Sequence, residues 1–259
     1  MVFRILAFLW FVSPVSNVLA SNAYYITLSN QVARKQELEI ITNNAANTNT
    51  IGYEEDAIIF DKFDVMQNKK KNNSFVVSRS MYKSGDMGPL KHTNNPMDIA
   101  IAGSDQYFKI QTPKGVRYTL SGNIFRNSQS ILVNSDGYPF LTVNNGIIQV
   151  PDDAIDLRFT SDGTLYADGI AGDRIGIISI PNKFSLVKEG GSLYRGTEGE
   201  VPIDDYTVIT GALRISNVNA AKVMSQTIET ERSFSTTSSL LRELGDLEKQ
   251  AVNRQLKQN

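Results

Sequence analysis

Apolar residues recur at helical spacing at both ends of this chain and at strand spacing between them. From Asn22 to Ala46, Leu28 and Val32 lie four apart and Leu38, Ile41 and Ala45 continue the stripe, with Arg34, Lys35, Glu37 and Glu39 around it. The stripe changes phase between Val32 and Leu38. Asn47 to Gly52 supplies the stop, because Asn and Gly take left-handed backbone readily. From Asn217 to about Gln255 the helical spacing returns, enough for roughly 55–60 Å of helix. There Ala221, Met224 and Ile228 begin one stripe, and Leu240, Leu244, Leu247 and Ala251 make a second seam. Between them Ser233 to Ser239 is rich in Ser and Thr, and Gly245 interrupts the run, so this helix needs packing partners.

The middle of the chain reads differently. In Glu54 to Leu90, Ala57–Phe60 and Ser74–Val77 are short strand candidates on either side of the polar Gln67–Asn73 stretch. Beyond Met97 come Asp98–Ala102, Tyr107–Gln111, Val116–Leu120, Ile131–Val133, Pro139–Val143, Ile155–Phe159, Thr164–Ala167 and Ile175–Ile180. Turn signals separate them: Pro113-Lys114-Gly115, Ser135-Asp136-Gly137, Asn144-Asn145-Gly146 and Ser161-Asp162-Gly163. Short strands at this spacing favour an antiparallel sandwich, barrel or meander over a parallel sheet.

Composition removes most catalytic chemistries. The 259 residues carry 26 basic and 27 acidic side chains and a net charge of −1, so no global field points to nucleic acid or to anionic membrane. The Lys69-Lys70-Lys71 run lies among Asn and Ser and reads as a solvated loop. With no cysteine there are no disulfides, thiolate metal sites or thiol nucleophiles. The one histidine, His92, stands in a loop-like stretch without a nucleophile motif, and it cannot alone supply a zinc site. Asp152, Asp153 and Asp156 read as loop charges, too few oxygen ligands for a calcium site. No cofactor or metal is expected. Met1–Ala20 has the layout of an export signal: Arg4, the apolar Ile5–Val12, a Pro14 break, and Val18-Leu19-Ala20 before Ser21. A retained anchor or a misassigned start codon are the alternatives.

Two segments at the inner boundaries of the helical ends resemble the rod and hook proteins of the bacterial flagellum. Asn43, Asn44, Ala46, Asn47, Thr50, Gly52 and Tyr53 match that family's N-N-I-A-N-x-x-T-P-G-Y signature, with Ala45 and Ile51 as departures. Gly211, Leu213, Ser216, Asn217, Val218 and Asn219 resemble its G-x-L-E-x-S-N-V-N, with Arg214 in place of Glu, and Arg232 and Phe234 resemble its later R-x-F. The middle is similar to the proximal-rod members. Gly88-Pro89-Leu90 and Asn95–Gly103 match their G-P-L and N-P-L-D-V-A-I-x-G stretches, followed by Tyr118-Thr119, Gly122, Asn127, Leu132-Val133, Asp136–Pro139, Asp162–Thr164, Gly190, Leu193 and Tyr194. The family's G-x-G-F-F turn is altered in Gly103–Phe108, which has one extra residue and no second glycine.

The resemblance implies a non-enzymatic structural subunit of the flagellar basal-body rod, transmitting torque through the periplasm. Its partners would be copies of itself, other rod proteins and the flagellar export apparatus, with no nucleic acid and no small-molecule substrate. The fold expected is mainly β with α-helical termini, the two helices pairing in a coiled-coil-like layer beside a central antiparallel β domain. The expected parts are a signal peptide or extension at 1–20, a terminal helical assembly domain from 22–53 and 211–259, an extended linker region at 54–90, and the β domain at 91–210. Asn43, Asn44, Asn47, Gly52, Asn217, Asn219, Arg232, Phe234, Leu240, Leu244 and Leu247 are the expected assembly-interface residues. Members of this family leave the cell through the flagellum's own gate without a general signal peptide. Either this chain uses the general secretory route or its true start lies downstream. The rival reading is a secreted β-domain on a helical stalk, binding carbohydrate or another ligand through Tyr107, Tyr118, Tyr138 and Tyr166. Their alternation within strands favours sheet packing instead.

Overall fold

The computed structural model describes residues 15–68, 71–83, 86–182, 185–197 and 200–256. Two long helices bracket a β-rich body. Helix α1 is Val15–Ala46 and helix α2 is Ala220–Leu256. The strands between them are β1 (Asp56–Asn68), β2 (Lys71–Lys83), β3 (Leu90–His92), β4 (Ile99–Ile101), β5 (Gln106–Thr112), β6 (Gly115–Thr119), β7 (Phe125–Arg126), β8 (Leu132–Val133) and β9 (Leu157–Phe159). They continue with β10 (Thr164–Ala167), β11 (Ile170–Arg174), β12 (Ile177–Ser179), β13 (Leu186–Gly190), β14 (Leu193–Gly196), β15 (Val201–Pro202), β16 (Val208–Thr210) and β17 (Ala212–Arg214). The registers described are all antiparallel, as the turn chemistry implies. The expected export signal falls mainly outside the described residues, as do Lys69 and Lys70 of the basic run. From Val15 onward the chain already belongs to α1.

The chain divides into two compact units. One holds Met1–Glu39, Ile59–Ser80 and Thr227–Asn259; the other holds Ile40–Ile58 and Met81–Gln226. In the second unit the main sheet has the order β13-β14-β6-β5-β12-β15, and its two faces do different jobs. Phe108 and Ile110 on β5 point with Ile177 into a core that also takes Ile99, Ile101, Phe140, Ile148, Ile175 and Val208. Each such side chain, fully withdrawn from water, contributes about 1.5–3 kcal/mol. Tyr107 alternates to the opposite face. There, with Tyr118, Leu120, Ile178, Ile180, Leu186 and Tyr194, it builds a second cluster. Burial of Tyr107 and Tyr118 removes two of the four rings that the carbohydrate-site reading needs.

Several elements differ from the sequence expectation, each for a local reason. The region 54–90 is not a linker with short strand pieces: β1 and β2 are 13 residues each and pair as a two-stranded sheet. Apolar residues alone do not mark strands of that length, because polar residues carry much of both. Pro139–Val143 forms single bridges to Ile110, Val133, Ile147 and Ile175 instead of a continuous strand. Ile155 and Asp156 lie before β9, not in it. The altered Gly103–Phe108 turn absorbs its extra residue by placing Asp105 in left-handed backbone, φ 56°. Helix α2 runs through Gly245 without a break.

The helix faces are also phased differently. On α2 the buried positions are Val223 and Thr230, whereas Met224 and Ile228 are 70% and 54% exposed. On α1 the buried positions are Ala33, Ile41 and Asn44, whereas Leu28 and Val32 are exposed. Ala33, Asn44 and Thr230 face inward along with Ile41 and Val223, while Leu28, Val32, Met224 and Ile228 are left on the surface. Among the described residues, no helix is long and apolar enough to cross a membrane.

Candidate assembly site: the helix roots and the terminal helices

The end of α1, the segment after it, and the start of α2 meet in the second unit. Ile41, Tyr53, Val218 and Val223 form a small apolar cluster there. Hydrogen bonds from asparagine amides surround it. The Tyr53 hydroxyl lies 2.7 Å from Asn43 Oδ1 and 2.9 Å from Asn44 Oδ1. Asn44, 3% exposed, also grips the Asp56 backbone at two points. Its Nδ2 donates to the Asp56 carbonyl at 2.8 Å, and its Oδ1 accepts the Asp56 N–H at 3.0 Å. Its amide thereby takes the place a peptide group would hold in a strand pair. Asn47 closes the helix end: its N–H donates to the Asn43 and Asn44 carbonyls, and its Oδ1 accepts the Thr50 hydroxyl.

The second asparagine pair works in the same way. Asn217 Oδ1 accepts the Glu55 N–H at 2.6 Å, while its Nδ2 donates to the Asp86 carbonyl at 2.8 Å. Asn219 caps α2, its Oδ1 accepting the Lys222 N–H at 3.0 Å, so one of the helix's orphan donors is satisfied. Gly52 is required twice over. Its φ is +71°, and a Cβ there would lie 2.4 Å from the Ser121 nitrogen. The Gly52 N–H also donates to the Arg214 carbonyl at 2.8 Å.

Beneath these groups lies a charged layer that sequence reasoning did not single out. Lys188 Nζ donates to the Glu54 carbonyl at 2.9 Å and to Asp56 Oδ2 at 2.7 Å, and sits 3.6 Å from the centre of the Tyr53 ring. Burial lowers the Lys188 pKa, with the Asp56 carboxylate opposing. Burial likewise raises the Tyr53 hydroxyl well above the usual phenol range, Asp56 and Glu55 adding to it. Arg214, the departure from the family's Glu, is buried and donates to the Gly88 and Ile101 carbonyls. Burial lowers its pKa, with Glu54 opposing. Buried Glu54 in turn accepts the Tyr107 hydroxyl at 3.3 Å. The clue was there in sequence: three acidic residues, Glu54, Glu55 and Asp56, directly after an apolar turn need cationic partners from elsewhere in the chain.

In the first unit, α1 and α2 touch. Gln31 Nε2 donates to Ser238 Oγ at 2.8 Å. An open groove of about 670 Å³ runs beside this bond, lined by Tyr24 and Leu28 of one helix and Phe234, Leu241 and Arg242 of the other. Leu244 is half-buried; Arg232, Leu240 and Leu247 face solvent. The expected interface residues therefore fall into two sets. Asn43, Asn44, Asn47, Gly52, Asn217 and Asn219 are brought together at the helix roots, and Arg232, Phe234, Leu240, Leu244 and Leu247 lie along α2. Elsewhere, His92 is exposed on β3. Among the described residues no group of His, Cys, Asp and Glu side chains could hold a metal ion.

Long helices at both ends, rooted side by side against an antiparallel body, are the architecture of a protein built to be joined through its termini. Comparison with known proteins gives the class its name. Residues 100–167 match the model of the flagellar hook protein FlgE/F/G D1 domain, and residues 209–254 match that of the flagellar basal body rod FlgEFG protein C-terminal region. The chain is 30% identical to the flagellar basal-body rod protein FlgF of Caulobacter vibrioides, over 90% of this chain and 97% of that protein. It is also 30% identical to FlgF of Mesorhizobium japonicum, over 89% and 96%, and to FlgG of Bacillus subtilis, over 88% and 97%. The chain belongs to the flagellar basal-body rod protein family, and it is a structural subunit of the basal body.

Proposed function

We propose that this subunit builds the proximal rod by ordering its terminal helices against each other and against neighbours, in a coiled-coil-like layer inside the β domains. The neighbours are copies of this chain and other rod proteins, stacked helically in the periplasm as a drive shaft. The observation that carries this reading is the exposed apolar surface of both helices: Tyr25, Leu28 and Val32 on α1, and Met224, Ile228, Leu240 and Leu247 on α2. Larger exposed apolar surfaces on a folded chain mark contact sites. The Gln31–Ser238 hydrogen bond supports pairing of the two helices, since a polar bond at a helix seam favours one register over others.

In this reading, residues 22–53 and 211–259 form the assembly domain and 91–210 the outer domain. Arg232, Phe234, Leu240, Leu244 and Leu247 meet neighbours, while the asparagines and Gly52 hold the two helix roots together. Residues 1–20 act as an export signal or precede the true start, and the flagellar export apparatus delivers the subunit to its place. Leu244→Asp tests the assembly role. The variant keeps its β circular-dichroism signal but is missing from purified basal bodies, and the cells are non-motile. Incorporation at the wild-type level would reject α2 as a packing element.

A further inference from the structure

We propose that the β domain carries a head-to-tail contact between copies of this chain, in which an acid-rimmed apolar prominence at Ile155 and Ile170 seats on a basic ledge around Val187. The proposal rests on the reading that copies of this chain assemble, and it names a surface for that assembly away from the helices.

Ile155 is 93% exposed and Ile170 is 75% exposed, the two most exposed large aliphatic side chains of the β domain. Scattered apolar side chains on a surface are ordinary, but these two are held at one end of the same small sheet, β11-β10-β9. Asp168 fastens them. Its Oδ1 accepts the N–H groups of Ile155 at 3.2 Å and Asp156 at 2.8 Å, its own N–H donates to the Asp156 carbonyl at 2.8 Å, and Ile170 follows two residues later. On the other side, Arg126 Nη1 donates to the Ala154 carbonyl at 2.7 Å. The prominence is therefore set before any partner arrives, which reduces the ordering entropy of binding. Exposed carboxylates at Asp152, Asp153, Asp156 and Asp168 outnumber the guanidiniums of Arg126 and Arg158 around it.

The complementary surface lies at the far end of the main sheet. Strand β12, which follows β11, is four strand spacings from β13, roughly 19 Å. On β13 and β14, exposed Val187 is the cross-strand partner of Arg195. Arg195 and Arg117 both donate to Glu189, at 3.0 and 2.7 Å, and Lys114 adds its charge to the same group. Three cations against one carboxylate leave this ledge basic. The aliphatic stem of Arg195, cross-strand from Val187, extends the apolar area that Val187 begins. Opposite charge around matched apolar centres steers association and fixes orientation. Because prominence and ledge are different surfaces on two different sheets, their contact is heterologous, and it joins copies head to tail into a ring or an open filament instead of a two-fold dimer. Strand addition at β11 is the poorer use of that edge, since the β10–β11 pairing is irregular and the edge carries the exposed charge of Asp173.

The chain has no cysteine, so a cross-link can be placed cleanly. The full-length Ile155→Cys/Val187→Cys variant would be oxidised both in concentrated solution and in basal bodies purified from cells. A ladder of covalent multimers is expected from the double variant, and monomer from each single variant. Arg195→Glu should cut the ladder at least about tenfold, and adding Asp153→Arg should restore much of it. Incorporation into basal bodies without a ladder would overturn the contact and leave the rod assignment standing. So would dimers from Ile155→Cys alone, or a cross-link to another basal-body component. Absence of the wild-type chain from basal bodies would reject the rod assignment itself, and absence of a ladder in solution would then also reject the contact.

Discussion

Asn44 and Asp56 hold each other as two residues of a strand pair would, although one contributes its side chain and the other its backbone. The Asn44 Nδ2 to Asp56 carbonyl distance is 2.8 Å and the return bond from the Asp56 N–H is 3.0 Å. No other side chain of similar size offers a donor and an acceptor in that geometry. Asn44→Ala leaves a carbonyl, an N–H and part of the Tyr53 hydroxyl's bonding unmet, at about 1–3 kcal/mol for each group that stays buried. The expected loss in urea unfolding of the purified chain is about 2–4 kcal/mol. Asn44→Asp keeps the acceptor but sets a carboxylate against the Asp56 carbonyl, so it should destabilise comparably. A change within about 0.5 kcal/mol for both variants would show that the pairing is incidental.

Two glycines with similar backbone separate strain from crowding. Gly52 has φ +71° with the Ser121 nitrogen 2.4 Å from a notional Cβ, whereas Gly137 has φ +82° and nothing within 4 Å. Gly137→Ala should cost about 1–2 kcal/mol, the penalty of left-handed backbone alone. Gly52→Ala must also push the Leu120–Ser121 backbone aside, so thermal unfolding should show a loss well beyond that of Gly137→Ala. Equal losses would mean that the close approach is easily relieved.

Acid sensitivity should have a contribution from the β10 turn. Hydrogen bonds from the Thr160 and Thr164 hydroxyls hold the Asp162 carboxylate down to about 2. A carboxylate depressed on folding adds stability above its unfolded pKa and loses it as pH falls through the folded value. The stability gap between wild type and Asp162→Asn should therefore be fully present above about pH 4 and shrink between about pH 4 and pH 2. Because this carboxylate is exposed, screening keeps the effect below about 1 kcal/mol. Melting temperatures of both proteins across that range give the answer, and a constant gap would assign the effect to something other than Asp162 ionisation.

In dilute solution the two helical ends should be the first places a protease cuts. The exposed Leu28, Val32, Ile228, Leu240 and Leu247 have nothing to bury them, whereas Phe108, Phe140 and Ile175 are fully enclosed. Limited proteolysis should trim within 22–39 and 227–256 and leave a fragment spanning about 90–210. Mass spectrometry of the fragments checks this, and early cleavage inside the β5–β12 region would contradict it.

The sequence disclosed the helices, the antiparallel body and the asparagine segments, because these depend on local chemistry. Positive φ at Gly137 and Gly163 follows from the Asp-Gly turns that predict it. The phase of the helices was not legible. Leucine and methionine spacing points to one face, yet Ala33 and Thr230 are among the buried positions, and the Val218–Val223 docking against Ile41 and Tyr53 decides which way α2 starts. The Lys188 contact with Asp56 was equally hidden, since it joins residues 132 apart in the chain. Asn43, Asn44, Asn217 and Asn219 were visible as candidates, but the partners of Asn44 and Asn217 emerge only when the backbone of residues 55, 56 and 86 is in place.

Where α2 begins, Asn217 spans two separate stretches of backbone, Glu55 on one side and Asp86 on the other. A few ångströms away, Lys188 ties Glu54 and Asp56 to the main sheet. A pull or twist arriving along that helix therefore meets bonds to two separate stretches of backbone, at Glu55 and at Asp86, instead of a single contact. Rupture strength rises when bonds share a load, so a subunit anchored in this way resists shear better than its individual hydrogen bonds would suggest.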